Sequence, residues 1–318
     1  MVCIVSGRSG GTVYPSRISD LRSRMKALNL SYVRTWAYGA ALVLSSWAAS
    51  AVALEITDDR ASRVIFTHAP QRIVSLLPSL TETVCALDRC NLLVGVDRYS
   101  NYPQSVLRLP QLGGGMDPNI EAIVLLKPDV VLAAPNSRAT DRLRSLGIPV
   151  LVLETKTHAD VRRILEKLGQ LLEVPDAQRV WRAIDAGVSA AAQSLPASVK
   201  KVRVYFEVNR GPFAAGESSF IGETLTRLGV KNIVPTKMGA FPRLNPEYVV
   251  LANPDLIMVG ERNHAGMEGR PGWGNIRAVR DQRVCVFPVA ESDLIVRPGP
   301  RMAEAARVMA NCLATRIR

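Results

Sequence analysis

Aromatic and charged side chains recur just beyond apolar runs of strand character. Tyr99 and Tyr102 follow Leu93–Asp97, Phe213 follows Val202–Val208, Phe241 precedes a short helix–strand unit, and Asp293 and Arg297 precede the last helix. Loops that leave strand ends are where α/β sheets bind ligands. Aromatic faces there bury apolar ligand surface, and an Asp–Arg pair supplies both a hydrogen-bond acceptor and donors. Signatures of covalent chemistry are sparse. His68, His158 and His264 lie far apart and fit no metalloprotease pattern, and there is no G-x-S-x-G elbow, phosphate loop or dinucleotide fingerprint. Gly113-Gly114-Gly115 lacks the Lys-Ser/Thr of a phosphate loop and marks a tight bend or a place where backbone meets ligand. No metal site is expected, since no C-x-x-C or His cluster is present. An exported α/β enzyme using Asp293 or Glu217 as acid or base is the alternative from another class.

The elements that position these loops are written twice. Glu121-Ala-Ile-Val-Leu-Leu-Lys-Pro-Asp129-Val-Val-Leu is echoed by Glu247-Tyr-Val-Val-Leu-Ala-Asn-Pro-Asp255-Leu-Ile-Met, at an offset of 126 residues. Each copy reads as a short helix with Glu near its start, a Pro-Asp turn and a buried strand. The offset far exceeds the ~20–50 residues of a solenoid repeat, so the copies belong to two similarly built lobes. Two lobes imply a cleft, the usual place for a ligand.

Around the first copy, the strand at Arg72–Leu77 leads to Ser79 and Glu82, which read as a capping box opening a helix toward Leu87. A helix from about Ser137, a strand at Pro149–Leu153 and a helix from about His158 complete the lobe. Strands alternating with helices imply a parallel sheet covered on both faces. Between the lobes, Val180, Trp181, Ile184, Val188, Ala191 and Leu195 share one helical face, so Asp176–Leu195 reads as a long linking helix. A helical linker resists bending because bending breaks its i to i−4 hydrogen bonds, and the lobes are expected to close only slightly. In the second lobe, a strand at Val202–Val208, a helix near Ser219, a strand at Val284–Phe287 and a closing helix with Pro300 as its first residue are expected. The expected fold is α/β: two similar Rossmann-like lobes with central parallel-type sheets, joined by one long rigid α-helix, with a ligand cleft between them. The expected divisions are an N-terminal lobe at 54–175, the linking helix at 176–199 and a C-terminal lobe at 200–318.

The 318 residues carry a net charge of +12 and are 47% hydrophobic, enough for a folded core. Thr35–Leu54 has no charge, follows Lys26 and Arg34, and contains the small-residue triplet Ala51-Val52-Ala53. This reads as a signal peptide spanning about 25–53 and cut after Ala53, which implies export of the mature chain. Residues 1–24 read as an upstream extension. Arg8, Arg17, Arg22, Arg24, Lys26 and Arg34 against Asp20 leave +7 for the mature chain, with no Lys/Arg tract, so nucleic acid is not an expected partner. In an oxidising compartment Cys85 and Cys90 can bond if their helix ends by about Asp88, and Cys285 can reach Cys312; free buried cysteines are the alternative.

Taken together, Arg72-Ile-Val-Ser-Leu with Ser79-Leu-Thr-Glu82, Tyr99-Ser-Asn-Tyr-Pro103, both repeat units, Gly216-Glu-Ser218 and Asp293-x-x-x-Arg297 before Pro300-Arg301 resemble a known family. It is that of periplasmic solute-binding proteins of ABC importers for vitamin B12 and iron complexes, the class with a rigid helical backbone. The resemblance covers about Arg72–Ala314 and is strongest to the vitamin B12 branch. It implies a monomer that catalyses no reaction and uses no cofactor. The monomer would capture a cobalamin-like corrinoid, or alternatively a ferric siderophore or haem, and hand it to an inner-membrane permease and its ATPase. It also implies ligand contacts at Tyr99 or Tyr102, Phe213, Phe241, Asp293 and Arg297, and permease docking through Glu121 and Glu247. Arg98, Arg210 and Arg297 gathered at the cleft would favour an anionic chelate. Tryptophans of the family correspond here to positions around Gly114 and to Ala134-Pro135, implying a less aromatic cleft. The family's disulfide is expected to be lost, since Cys312 fits one end but the other falls near Leu228.

Overall fold

The computed structural model describes residues 53–317; the expected signal peptide and upstream extension lie outside the described residues. The chain opens with a hairpin of β1 (Leu54–Thr57) and β2 (Arg63–Phe66), which the sequence reading did not include. The first lobe follows as β3 (Ile73–Ser75), α1 (Pro78–Ala86), β4 (Leu93–Val96), α2 (Ile120–Leu125), β5 (Val130–Ala133), α3 (Thr140–Ser145), β6 (Val150–Val152) and α4 (His158–Leu171). Its four strands are parallel in the order β4-β3-β5-β6. Every residue of β3, β5 and β6 is buried, as continuous apolar strands covered on both faces require.

After α5 (Gln178–Gln193), the second lobe comprises β7 (Arg203–Asn209), β8 (Phe213–Ala214), α6 (Phe220–Arg227), β9 (Lys231–Asn232), α7 (Pro246–Ala252), β10 (Leu256–Gly260), α8 (Glu261–His264), α9 (Arg277–Arg280), β11 (Val284–Phe287), α10 (Val289–Ile295) and α11 (Met302–Arg316). Strands β11, β10, β7 and β9 pair in parallel, and β8 adds an antiparallel edge. Two α/β units with parallel sheets, joined through one helix, are therefore present.

The duplicated units share details beyond their residue types. Asn119 Oδ1 caps α2 by accepting from Ala122 N–H, and Asn245 Oδ1 caps α7 by accepting from Glu247 N–H. Both helices end at a left-handed residue, Lys127 at φ 45° and Asn253 at φ 44°. Arg72 then donates to the carbonyls of Leu126 and Lys127, and Arg203 to those of Ala252 and Asn253. These contacts satisfy carbonyls that a helix C-terminus leaves unpaired. Asp129 and Asp255 close each unit by accepting from the backbone N–H of Arg72 and Arg203.

Helix α5 is about 24 Å long at ~1.5 Å per residue. It buries Val180, Ile184, Val188 and Ala191, with Trp181 and Leu195 partly buried against the same core. A Cβ at Gly187 would fall 2.5 Å from that of Ala303 on α11, so glycine there lets the two helices pack closely. One apolar cluster runs from Ile73 and Leu151 in the first sheet through Ile184 and Val188 to Leu256 and Met258 in the second. Bending the linker would open this shared core as well as break helical hydrogen bonds.

Two local expectations are corrected. Ser79 and Glu82 form no capping box: α1 begins at Pro78 after Leu77, with no side-chain cap. Ser79 Oγ is buried without a partner among the described residues, and Glu82 is held by Arg297 instead. Pro300 is not the first residue of the last helix, because Gly299–Arg301 turn tightly and α11 starts at Met302. Helix α1 ends before Asp88, which takes φ 60°, and Cys85 is joined to Cys90, while Cys285 on β11 is joined to Cys312 on α11.

Candidate functional site

A cavity of about 960 Å³ lies between the two sheets. That volume is at the upper end of the ~300–1,000 Å³ of small-molecule sites. Its walls come from segments that follow the C-terminal ends of parallel strands. The first lobe contributes Leu77–Ser79 after β3, Arg98, Tyr99 and Asn101 after β4, Ala134–Asn136 after β5 and Leu153–Lys156 after β6. The second contributes Val208 at the end of β7, Phe220 and Ile221 at the start of α6, Phe241, Arg262 beyond β10, and Asp293 with Val296–Pro298 beyond β11. This is where parallel α/β sheets open to ligands.

Of the six residues expected to contact ligand, the cleft brings together Tyr99, Phe241, Asp293 and Arg297. Tyr99 is 61% exposed, with the Arg98 guanidinium 5.9 Å from its ring centre. Phe241 rests on Phe220 at 5.9 Å between ring centres. Tyr102 and Phe213 lie outside the cleft lining. The Arg301 guanidinium covers the Tyr102 ring at 3.9 Å, and Phe213 pairs with Asn209 at the sheet edge. Arg210 donates to the Ala265 carbonyl and, like His264 and Glu217, does not line the cleft. Gly113–Gly115 also lie elsewhere: Gly113 has φ 89°, and a Cβ at Gly115 would fall 2.4 Å from the Leu76 carbonyl oxygen, so the triplet is a tight bend against β3.

Arg297 is a tie between lobes as well as a cleft residue. Its guanidinium donates to Glu82 Oε1 at 3.1 Å, Asn101 Oδ1 at 2.7 Å, the Tyr99 carbonyl at 3.1 Å and Asp293 Oδ2 at 3.4 Å. Burial pushes the Glu82 carboxyl above its ordinary pKa, against the attraction of Arg297. A second tie lies at the start of α4. His158 N–H donates to Glu223 Oε2 at 2.6 Å, Phe220 N–H donates to the Lys156 carbonyl at 2.7 Å, and His158 Nε2 faces the Phe220 carbonyl and Thr224 Oγ1 at 3.1 and 2.9 Å. Burial lowers the His158 pKa to about 4, so the ring is neutral at physiological pH. Sequence reasoning missed both ties, because Glu82 and Arg297 are 215 residues apart and nothing local pairs them.

Most cleft charges neutralise one another. Lys156 pairs with Glu154 at 2.7 Å, Arg262 with Asp293 at 3.5 Å, and Arg297 with Glu82 and Asp293. Arg98 is the one cleft cation without an ion pair among the described residues. No group of three or more His, Cys, Asp or Glu among the described residues is arranged to hold a metal ion. The arrangement suits a large, mostly uncharged guest held by aromatic faces and amide or hydroxyl contacts.

Comparison with known proteins gives consistent matches. Residues 73–290 match the family described as periplasmic binding protein. An uncharacterized ABC transporter substrate-binding lipoprotein of Bacillus subtilis is 30% identical, over 81% of this chain and 85% of its own length. The vitamin B12-binding protein of Salmonella typhi is 28% identical, over 78% of this chain and 92% of its own. A periplasmic heme binding protein from Pseudomonas aeruginosa superposes with a TM-score of 0.65 at 25% identity, covering 78% of this chain and 94% of the other.

Proposed function

Because the chain belongs to the periplasmic binding protein family, we propose that it is the capture component of an ABC importer and carries a cobalamin-like corrinoid in the cleft between its lobes. The observation that carries the choice of ligand is the internal pairing of the cleft's charges. A corrinoid presents a broad apolar ring, an amide-bearing rim and a single phosphodiester. Tyr99 and Phe241 offer faces to the ring, Asn101, Asn136 and Thr155 offer partners to amides, and Arg98 offers one cation to the phosphodiester. Haem, with two propionates, or an anionic ferric siderophore, the alternative cargo, would have only Arg98 as an unpaired cation and would leave at least one anionic group without a partner. Arg98 favours that alternative only if other ion pairs in the cleft open.

The reading is tested by calorimetry on the mature chain with cyanocobalamin and with haemin. One-to-one binding of cyanocobalamin, at least tenfold tighter than haemin, is the expected result. No heat with cyanocobalamin overturns the corrinoid assignment, and tight haemin binding replaces it with the alternative.

Delivery requires an inner-membrane permease and its ATPase, and the proposed docking residues are Glu121 and Glu247. Each is exposed in the first turn of its short helix, one on each lobe. Export through a cleaved signal peptide ending at Ala53 is part of the same proposal. The double variant Glu121→Arg/Glu247→Arg is expected to bind ligand as the wild type does and to abolish uptake in a transport assay, because charge reversal repels a basic receptor surface. Normal uptake by this variant would remove the glutamates from the docking site.

A further inference from the structure

We propose that Leu125 and Leu251 are a matched pair of apolar anchors by which the protein seats on the importer's membrane permease; the inference rests on the importer reading above. Leu125 is 81% exposed and Leu251 is 85% exposed, more than any other large hydrophobic side chain among the described residues. Single exposed leucines are ordinary on protein surfaces. These two occupy the same position of the duplicated unit, 126 residues apart, each four residues after an exposed glutamate and therefore on the same helix face as Glu121 or Glu247.

Their setting is rigid. Ile123 and Val249, two residues before each leucine, are fully buried and fix the rotation of α2 and α7. Arg72 and Arg203 pin the helix ends just beyond the leucines. The leucines are thus presented at fixed corners, one on each lobe, and a partner can bury them at little cost in ordering.

The accompanying charge selects the partner. Neither Glu121 nor Glu247 forms an ion pair among the described residues. A carboxylate beside each leucine would be repelled by an anionic lipid surface. A second copy of this chain meeting these patches would set glutamate against glutamate. What fits is a protein surface offering two apolar sockets, each beside a cation, at the spacing of the two lobes, and the importer's permease is the partner this family requires.

The test compares the mature wild-type chain with Leu125→Ser/Leu251→Ser and with Glu121→Arg/Glu247→Arg. Affinity is read for the permease–ATPase complex in lipid nanodiscs, and for empty nanodiscs of phosphatidylethanolamine with phosphatidylglycerol. Removing two leucines that the permease would bury should weaken permease binding roughly ten- to hundredfold, with unchanged salt dependence and unchanged calorimetric binding of cyanocobalamin. The glutamate variant should instead bind most weakly at low salt and recover as salt screens the new repulsion, the reverse of the wild-type dependence. Permease binding by the leucine variant equal to wild type overturns the proposal, as does a wild-type signal reproduced by empty nanodiscs or accounted for by self-association in sedimentation. Failure of the wild type to bind the permease at all sinks the importer reading itself, which distinguishes the two.

Discussion

Replacing Arg297 by alanine is expected to lower folding stability by about 3–5 kcal/mol and to weaken ligand binding at the same time. The size follows from what the substitution leaves behind. The Glu82 side chain is 3% exposed, so without Arg297 its carboxylate is a buried charge with no hydrogen-bonded cation, attracted only by the more distant Arg301. Its pKa, already raised by burial, would rise further, and the cost should shrink as acid neutralises the group. Urea unfolding should therefore show the largest deficit at neutral pH and a smaller one near pH 5. Adding Glu82→Gln should restore part of the loss, since the double variant buries no unpaired charge. Ligand affinity falls because the same guanidinium holds the Tyr99 carbonyl and Asn101 at the cleft rim. An Arg297→Ala protein as stable as wild type would show that the tie between the lobes bears little energy.

Acid should loosen the other tie. His158 has a folded pKa of about 4 against 6.5 in the unfolded chain, because burial of its ring outweighs the hydrogen bond to the Phe220 carbonyl, which favours the charged form. The unfolded state therefore binds an additional proton between these values. His158's contribution is complete above pH 6.5 and is lost as pH falls toward 4, to the extent of about 3 kcal/mol. Burial raises the Glu82 and Asp97 carboxyls and gives the opposite slope in the carboxylate range. Subtracting the pH profile of His158→Gln from that of the wild type isolates the imidazole. The difference in unfolding free energy should be flat above pH 7 and fall by about 3 kcal/mol by pH 4. Trp181, with its ring centre 6.3 Å from that of His158, supplies a fluorescence reading of the same titration. Midpoint quenching near pH 6.5 in the folded protein would contradict the buried, neutral ring.

What could be read from the sequence is what is local and periodic. The duplicated unit was visible because its glutamates, prolines and aspartates occupy sequence positions that the structure uses twice, and its left-handed ends at Lys127 and Asn253 follow from the same Pro-Asp turns. The apolar stripe at Val180, Ile184 and Val188 marked the linking helix for the same reason. Tyr99 lines the cleft because it follows the end of β4, and Phe241 because it stands in the loop before α7, but Tyr102, three residues beyond Tyr99, turns under Arg301, and no local rule separates it from Tyr99. Glu82 illustrates the limit most clearly. Its spacing from Ser79 suggested a capping box, yet α1 starts with Pro78, which needs no donor capped at that position, and the carboxylate finds a charged partner from the far end of the chain. Asp293, expected in a loop before the last helix, lies within α10, a helix of seven residues too short to announce itself by periodicity.

The two ties, the linking helix and the shared core make one claim: the cleft is preformed and the lobes stay fixed when it fills. Spin labels at Ser145→Cys on the first lobe and Lys237→Cys on the second, both exposed, measure this directly by pulsed electron resonance, with and without saturating cyanocobalamin. The account predicts interlabel distances that agree to within about 2 Å in the two states. A clearly shorter distance in the liganded protein would mean that the lobes swing on a hinge, and would contradict it.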